Sequence, residues 1–528
     1  MSLLAKQAFE EYCSPITTAH HGGVNGRPFW NIHSTQFMFN PCFQFPWVPG
    51  CKKYLFTATD CNKTVHTFKA ESPMSLLTPI WGELPEGIVE LKVEALDESD
   101  KPWTLAGARS FYKCSPYPGP EYYPPKARSY RECALMAYRY IFNQPFIQHW
   151  LSHGTPDTEY DFYVYPSKTI SAIIDAMLRY AQLEPEHAED AIKIAVKAAD
   201  FLISISFAEG KPLEGLPPTY YIDFRKNLEK KLEEYNNEAA VERLDGLMIM
   251  YPAMVGLEYL KLEEITGEKR FYEAAKRIAD YFRTHVLPNG SWYLFLSVKT
   301  GENIAHNYCT SNSIMEFMNK MYKRTGDVIW NELEQSFYKY IVKNCLETYN
   351  WEGQFEDSDL SSNYSNLSHY PATDMLHYIT CNKSNEPEAI LEAEDLMRFV
   401  EDQFVIWKNF APWNHKSSPK HGTDITQWFS PAGLEQYAWA MPIDASTSDI
   451  MSAFLDMYKV KNDPLLLAKA CTLGDMITRM QNPENGLIPT HWMRNTCILD
   501  GGNLWISCMI KTASSMFDIA EITEKTSN

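Results

Sequence analysis

Acidic residues recur where long aromatic loops run into apolar helical stretches: Asp223, Asp245, Glu356, Asp357, Glu435, Asp444 and Asp500. Carboxyls in such places suit glycosidic hydrolysis, in which one acid protonates the leaving oxygen while a second activates water or attacks the sugar. Glu435 lies among aromatics in Trp428-Phe429-Ser430-Pro431-Ala432-Gly433-Leu434-Glu435-Gln436-Tyr437-Ala438-Trp439. An apolar setting raises a carboxyl pKa and favours a proton donor. Asp245, in Arg243-Leu244-Asp245-Gly246-Leu247, and Asp444, in Pro442-Ile443-Asp444-Ala445-Ser446, suit acid/base roles and equally suit helix N-caps. Asp223 follows Tyr220-Tyr221 and precedes Arg225. That grouping of an acid, phenols and a cation fits a uronate-binding cluster, with Arg225 pairing to the sugar carboxylate, and also fits a solvated loop.

A second chemistry is written in His369-Tyr370. A neutral imidazole and a phenol can remove and return the proton beside a uronate carboxylate, as elimination or epimerisation requires. His491-Trp492 is a similar pair in which Trp492 offers a stacking platform, and Trp292, Trp351, Trp413, Trp428 and Trp439 recur in similar loops. Trp292, Trp428 and Trp492, with Tyr220, Tyr221, Tyr370 and His491, are the expected sugar contacts, although packing explains any single one of them. His20-His21, His415 and His421 lack partners at metal-ligand spacing. P-loop, dinucleotide-binding and serine-elbow motifs are missing, so no cofactor and no metal are expected.

The elements that position these residues are helices in a repeat. Apolar, small-residue-rich stretches lie near 166–183, 246–266, 309–325, 368–381, 446–461 and 503–523. The first five are each followed by a short polar turn and a more amphipathic stretch, near 185–206, 269–286, 328–346, 387–407 and 464–480; one further helix, about 129–151, precedes them. Thr266-Gly267-Glu268 and Thr325-Gly326-Asp327 are two copies of the turn, and Asn462-Asp463-Pro464 is a third. The return connections are long and carry glycine followed by an aromatic, as in Asn289-Gly290-Ser291-Trp292 and Trp351-Glu352-Gly353-Gln354-Phe355. Long loops gathered on one side of a helical repeat mark a functional face.

Residues 28–114 differ. Segments such as Ile88-Val89-Glu90-Leu91-Lys92-Val93-Glu94-Ala95-Leu96 alternate apolar and polar residues between turn clusters, and 115–125 is a Pro-, Gly- and Tyr-rich linker. The expectation is a small antiparallel β-sandwich of immunoglobulin or fibronectin type III style. The domains are then 1–118, an N-terminal helix plus sandwich, and 126–528.

Six inner and six outer helices with Gly-aromatic loops resemble the (α/α)6 toroids of carbohydrate-active enzymes. This six-hairpin superfamily includes unsaturated glucuronyl hydrolases, glucuronyl C5-epimerases and N-acylglucosamine epimerases. The resemblance covers roughly residues 126–524 and implies a mainly α multidomain protein. Its implied function is a glycoside hydrolase acting on an oligosaccharide, including the uronic-acid-containing class. A lyase or epimerase using Tyr and His, and a non-catalytic glycan-binding protein, are the alternatives. The scaffold hosts several reactions, so the fold alone does not choose among them.

Composition narrows the partners. The 528 residues carry a formal charge of −19, which opposes a nucleic-acid backbone as the main ligand. No run of about 18 apolar residues is present, so no membrane span is expected. The first residues lack the basic-then-apolar pattern of a signal peptide, and the compartment and oligomeric state stay open. The 12 cysteines form no C-x-x-C pair and read as scattered thiols, with disulfides in the N-terminal third left open.

Overall fold

The computed structural model describes residues 2–14, 34–221, 243–356, 366–408, 428–437, 440–494, 497 and 504–524. Asp223, Arg225, Asp357, Trp413, Trp439 and Asp500 lie outside the described residues, as do His20, His21, His415 and His421.

The chain begins with helix α1 (Leu3–Cys13) and a sheet built from β1 (Gln36–Phe37), β2 (Tyr54–Thr59), β3 (Val65–Ala70), β4 (Gly87–Leu96) and β5 (Pro102–Lys113). The short helix α2 (Thr78–Trp81) lies between β3 and β4. Strand order is β1-β5-β4-β2-β3, with β1 parallel to β5 and the other pairs antiparallel. Alternation buries one face, through Tyr54, Phe56 and Ala58 on β2 and Val89, Leu91, Val93 and Ala95 on β4.

The expected second sheet is replaced by coil and helix. Phe37, Phe43 and Trp81 pack on Phe111, and a Cβ on Gly107 would come within 2.2 Å of Phe45. The covering segment contains Pro41, Pro46 and Pro49, which cannot donate to a ladder and disfavour a strand.

The helical part holds α3 (Tyr130–Phe142), α4 (Pro145–His153), α5 (Pro166–Leu183), α6 (Ala188–Ile205), α7 (Met250–Thr266), α8 (Lys269–Thr284), α9 (Ser313–Thr325) and α10 (Val328–Ile341). It continues with α11 (His369–Asn382), α12 (Pro387–Phe404), α13 (Asp444–Lys461), α14 (Pro464–Met480) and α15 (Ile506–Thr523). Each inner helix packs on an outer one: α5 on α6, α7 on α8, α9 on α10, α11 on α12, α13 on α14, and α15 on α3. Side-by-side packing runs α5-α7-α9 and α11-α13-α15, and α15 closes on α5. The α11 edge is tied to the previous hairpin by Tyr378, whose hydroxyl donates to Glu334 Oε1 of α10 at 2.5 Å. This order is that of an (α/α)6 toroid.

Local chemistry explains the hairpins. Gly267 (φ 74°), Gly326 (φ 72°) and Asn462 (φ 52°) end α7, α9 and α13 in the left-handed conformation that closes a helix. Asp327 and Asp463 then cap α10 and α14 by accepting from Ile329 N and Leu465 N. The helix expected over 129–151 is two, because Gln144 takes extended backbone before Pro145. The helix expected from 246 begins at Met250, because Gly246–Met248 pairs instead with Phe295–Ser297.

Sheet and toroid share one continuous apolar core. Asp402 of α12 accepts from the Met38 and Phe39 amides at 2.6 and 2.8 Å. Glu401 accepts from Tyr12, Trp407 and Lys469 at 2.6, 3.0 and 2.8 Å. All 12 cysteines are free thiols. Among the described residues, no helix is long and apolar enough to cross a membrane.

Candidate functional site

The inner helices start at one end of the ring, and charged side chains converge there. Glu356, 2% exposed, is the first focus. Lys168 Nζ, from the first turn of α5, donates to its Oε1 at 2.6 Å. The Tyr251 hydroxyl, from the first turn of α7, donates to Oε2, and the Tyr220 hydroxyl donates to the Glu356 carbonyl oxygen at 2.5 Å. The Tyr370 hydroxyl donates to the Gln354 carbonyl at 2.9 Å and accepts the Gln354 amide at 3.0 Å, fixing the same strand of loop. Burial pushes the Tyr251 and Tyr370 phenols well up. Phe355 is half-buried beside Tyr370, and the Lys168 ammonium lies 5.9 Å from its ring centre.

The second focus lies deeper. Asp449 of α13 meets Lys511 Nζ of α15 at 2.7 Å and His369 Nε2 of α11 at 3.3 Å. Nδ1 of His369 donates to the Glu435 carbonyl oxygen at 2.9 Å. Burial raises the Asp449 carboxyl, but Lys511 and His369 outweigh it and hold the group below the usual carboxylate range. Asp374, on α11, is pushed up to about 6 by burial, with Asp449 adding to the rise and Lys511 opposing it. The Lys511 side chain is 45% exposed, so water reaches this depth.

Cys508 joins the two foci: its thiol is raised by burial and by Asp444 and Glu435, while Lys168 and Lys511 oppose the rise. Glu435, Asp444 and Lys168 are thus within electrostatic reach of one residue of α15. Asp444 is fully buried, its Oδ2 accepts from Thr512 Oγ1 at 3.2 Å, and burial keeps its carboxyl well above the ordinary range. Asp444 thus sits in the core at the head of α13 and not on an open wall.

Other expected residues separate from this cluster. Asp245 is half-exposed and 3.8 Å from Lys299 Nζ, in a 3-10 turn before a strand, and it caps no helix. With Tyr220, Tyr221, Val164, Phe207 and Pro218 it lines a pocket of about 270 Å³. The expected stacking platforms are enclosed: Trp292, Trp428 and Trp492 are 2%, 1% and 0% exposed. The indole N–H of Trp292 donates to Phe282 O, and that of Trp492 to Pro489 O, each at 3.0 Å. His491 is half-buried, edge-on to Trp505 at 5.1 Å. Partly exposed rings at this end include Phe355, Tyr220, Tyr370 and Trp505.

Lys168, Tyr251, Asp374, Asp449, Cys508 and Lys511 did not stand out in the sequence. A signal was present. Asp374, Asp449 and Lys511 each lie five residues after the first residue of their inner helix, interrupting otherwise apolar, small-residue stretches.

Among the described residues, one group has metal-ligand geometry. Glu184, Glu186 and His187 offer atoms within 4.8 Å of one another, but Glu184 already pairs with Arg139 at 2.8 Å.

No family model matches the chain, and no curated protein matches it. Solved structures do match at low identity. A family 76 glycoside hydrolase from a bovine Bacteroides thetaiotaomicron strain is 13% identical, over 89% of this chain and 93% of that one, with a TM-score of 0.44. A cellobiose 2-epimerase from Spirochaeta thermophila is 11% identical, over 74% and 98%, with a TM-score of 0.48. An unsaturated glucuronyl hydrolase specific for heparin is 9% identical, over 75% and 98%, with a TM-score of 0.46.

Proposed function

We propose that this protein is a glycoside hydrolase acting on an oligosaccharide of the uronic-acid-containing class, by carboxylate acid/base chemistry at the mouth of the toroid. The observation that carries the reading is the contrast between Asp374 and Asp449 across Lys511. One carboxyl is pushed up to about 6 by burial, and its neighbour is held ionised by a lysine and a histidine. Neighbouring carboxyls with separated pKa values are the usual basis for dividing acid and base roles.

Asp374 then carries the proton that passes to the leaving glycosidic oxygen. Asp449 stays negative and faces the positive charge that grows on the sugar ring in the transition state. Glu435, within electrostatic reach of the same Cys508 thiol as Lys168, takes the proton from the attacking water. Lys168 and Lys511 supply the cationic charge that a uronate carboxylate needs. Phe355 and Trp505 offer ring faces for the sugar. The elimination or epimerisation reading calls on Tyr220 or Tyr221 with His369. The Tyr220 hydroxyl is committed to Glu356, and His369 is buried with both ring nitrogens engaged, which favours hydrolysis.

The test is turnover on a panel of neutral and uronate-containing oligosaccharides. Hydrolysis releases reducing ends without the near-ultraviolet absorbance of an unsaturated product. Asp374→Asn and Glu435→Gln are each expected to lower kcat by about 10²-fold or more. The reading is rejected if both variants keep full turnover, if the product is unsaturated, or if the glycans bind and none is cleaved.

A further inference from the structure

We infer that Cys381, His377 and Asp456 form a reactive-thiol site at the other end of the toroid, built to exchange with small disulfides. Cys381 lies twelve residues beyond His369 on α11, about 18 Å along the helix at 1.5 Å per residue. It therefore sits apart from His369, while His377 lies one turn beyond Asp374 and opposes the rise of that carboxyl. His377 and Cys381 are one helical turn apart and both are exposed. Sγ of Cys381 is 3.6 Å from Nε2 and 3.9 Å from Nδ1 of His377, so the sulfur rests beside the imidazole.

The imidazole is anchored from the neighbouring inner helix. Asp456 Oδ2 is 2.6 Å from His377 Nδ1, and Oδ1 of the same carboxylate is 2.8 Å from Lys459 Nζ. Asp456 is 6% exposed, so it is a fixed buried anion and not a passing surface contact. It holds His377 protonated up to about 11. Lys459 is also within electrostatic reach of the sulfur. The protonated His377 imidazole thus lies against a solvent-exposed cysteine, and a cation next to a cysteine is the environment that favours attack by sulfur.

Of the 12 cysteines only Cys61 and Cys381 are exposed, and Cys61 has no such partners in its hydrogen bonding: its thiol donates to the Glu86 carbonyl at 3.3 Å. The step is thiol–disulfide exchange with a small disulfide, RS–SR. The Cys381 sulfur bonds to one sulfur, the S–S bond breaks, and its electron pair leaves on the other RS group. The proton lost from Cys381 ends on that thiolate, giving a mixed disulfide and RSH.

The full chain is treated at pH 7 with glutathione disulfide and, separately, with 5,5′-dithiobis(2-nitrobenzoate), and labelled peptides are quantified over time. Cys381 is expected to react about tenfold faster than Cys61. Cys381→Ser should remove the fast phase. His377→Gln, an exposed change, should bring Cys381 to the Cys61 rate, and Asp456→Asn should slow it in the same direction. The inference is overturned if Cys381 is labelled no faster than Cys61, or if His377→Gln leaves its rate unchanged while circular dichroism shows the fold intact. Glycan turnover plays no part in this readout, so the two proposals fail separately.

Discussion

Trp292 and Trp492 sit in the Gly-aromatic loops, yet each turns its ring inward and gives its N–H to a main-chain carbonyl close by in sequence. An indole used in this way clamps a long connection to the core, which satisfies both its apolar body and its polar edge. Trp492→Ala is expected to cost about 3–5 kcal/mol of stability, seen as a lower denaturant midpoint. A stacking platform would instead lose glycan affinity with stability kept. At the same scale, the proposed acid sets a pH limit. Asp374 must be protonated to act, so kcat/KM should fall as pH rises through about 6, and Asp374→Asn should abolish that limb. A profile that stays flat from pH 5 to 8 would remove Asp374 from the acid role. Lys168, Asp449 and Lys511 were not legible as site residues because the conspicuous aromatic and acidic residues of the sequence lie in the loops. On α11, α13 and α15 the charge comes from the helix, where it looks like an isolated solvated residue until the ring closes around it. Glu435, by contrast, is conspicuous in sequence as a carboxyl among aromatics, and its part in the site belongs to the proposal.

At the scale of elements, the hairpins were readable because their stop signals are local. Gly267, Gly326 and Asn462 each need a left-handed conformation, and the aspartates after Gly326 and Asn462 need only the next helix turn to cap. The strand alternation was equally readable, and it correctly marks one buried face. It carries no information about what covers that face, so a second sheet was expected where Pro-interrupted coil and α2 do the covering. Helix-to-helix contact within the ring is set by small residues. A Cβ on Gly256 of α7 would come within 2.5 Å of the Phe317 ring on α9. Gly256→Ala is therefore expected to destabilise the protein by roughly 1–3 kcal/mol through overpacking. Pairing it with Phe317→Leu should recover part of the loss in thermal melts. An additive loss in the double variant would show that the two side chains do not meet.

At the scale of the whole molecule, the sheet is fastened to the toroid by buried charge as well as by apolar packing. Lys469 is 1% exposed and its ammonium lies 2.8 Å from Glu401 Oε2, while Tyr12 of α1 and Trp407 donate to Oε1 of the same carboxylate. Glu401 thereby joins the N-terminal helix, α12 and α14 at a single point. Removing the lysine leaves a carboxylate buried with only neutral donors, which typically costs about 3–5 kcal/mol. Lys469→Met keeps much of the side-chain volume, so its loss of stability reports the charge. Because one apolar core runs through both parts, calorimetry of the wild type should give one cooperative transition, and Lys469→Met should lower its midpoint without splitting it. Two resolved transitions in the wild type would mean that residues 1–118 and 126–528 fold as independent units, with the sheet an appended module and not a brace for the ring.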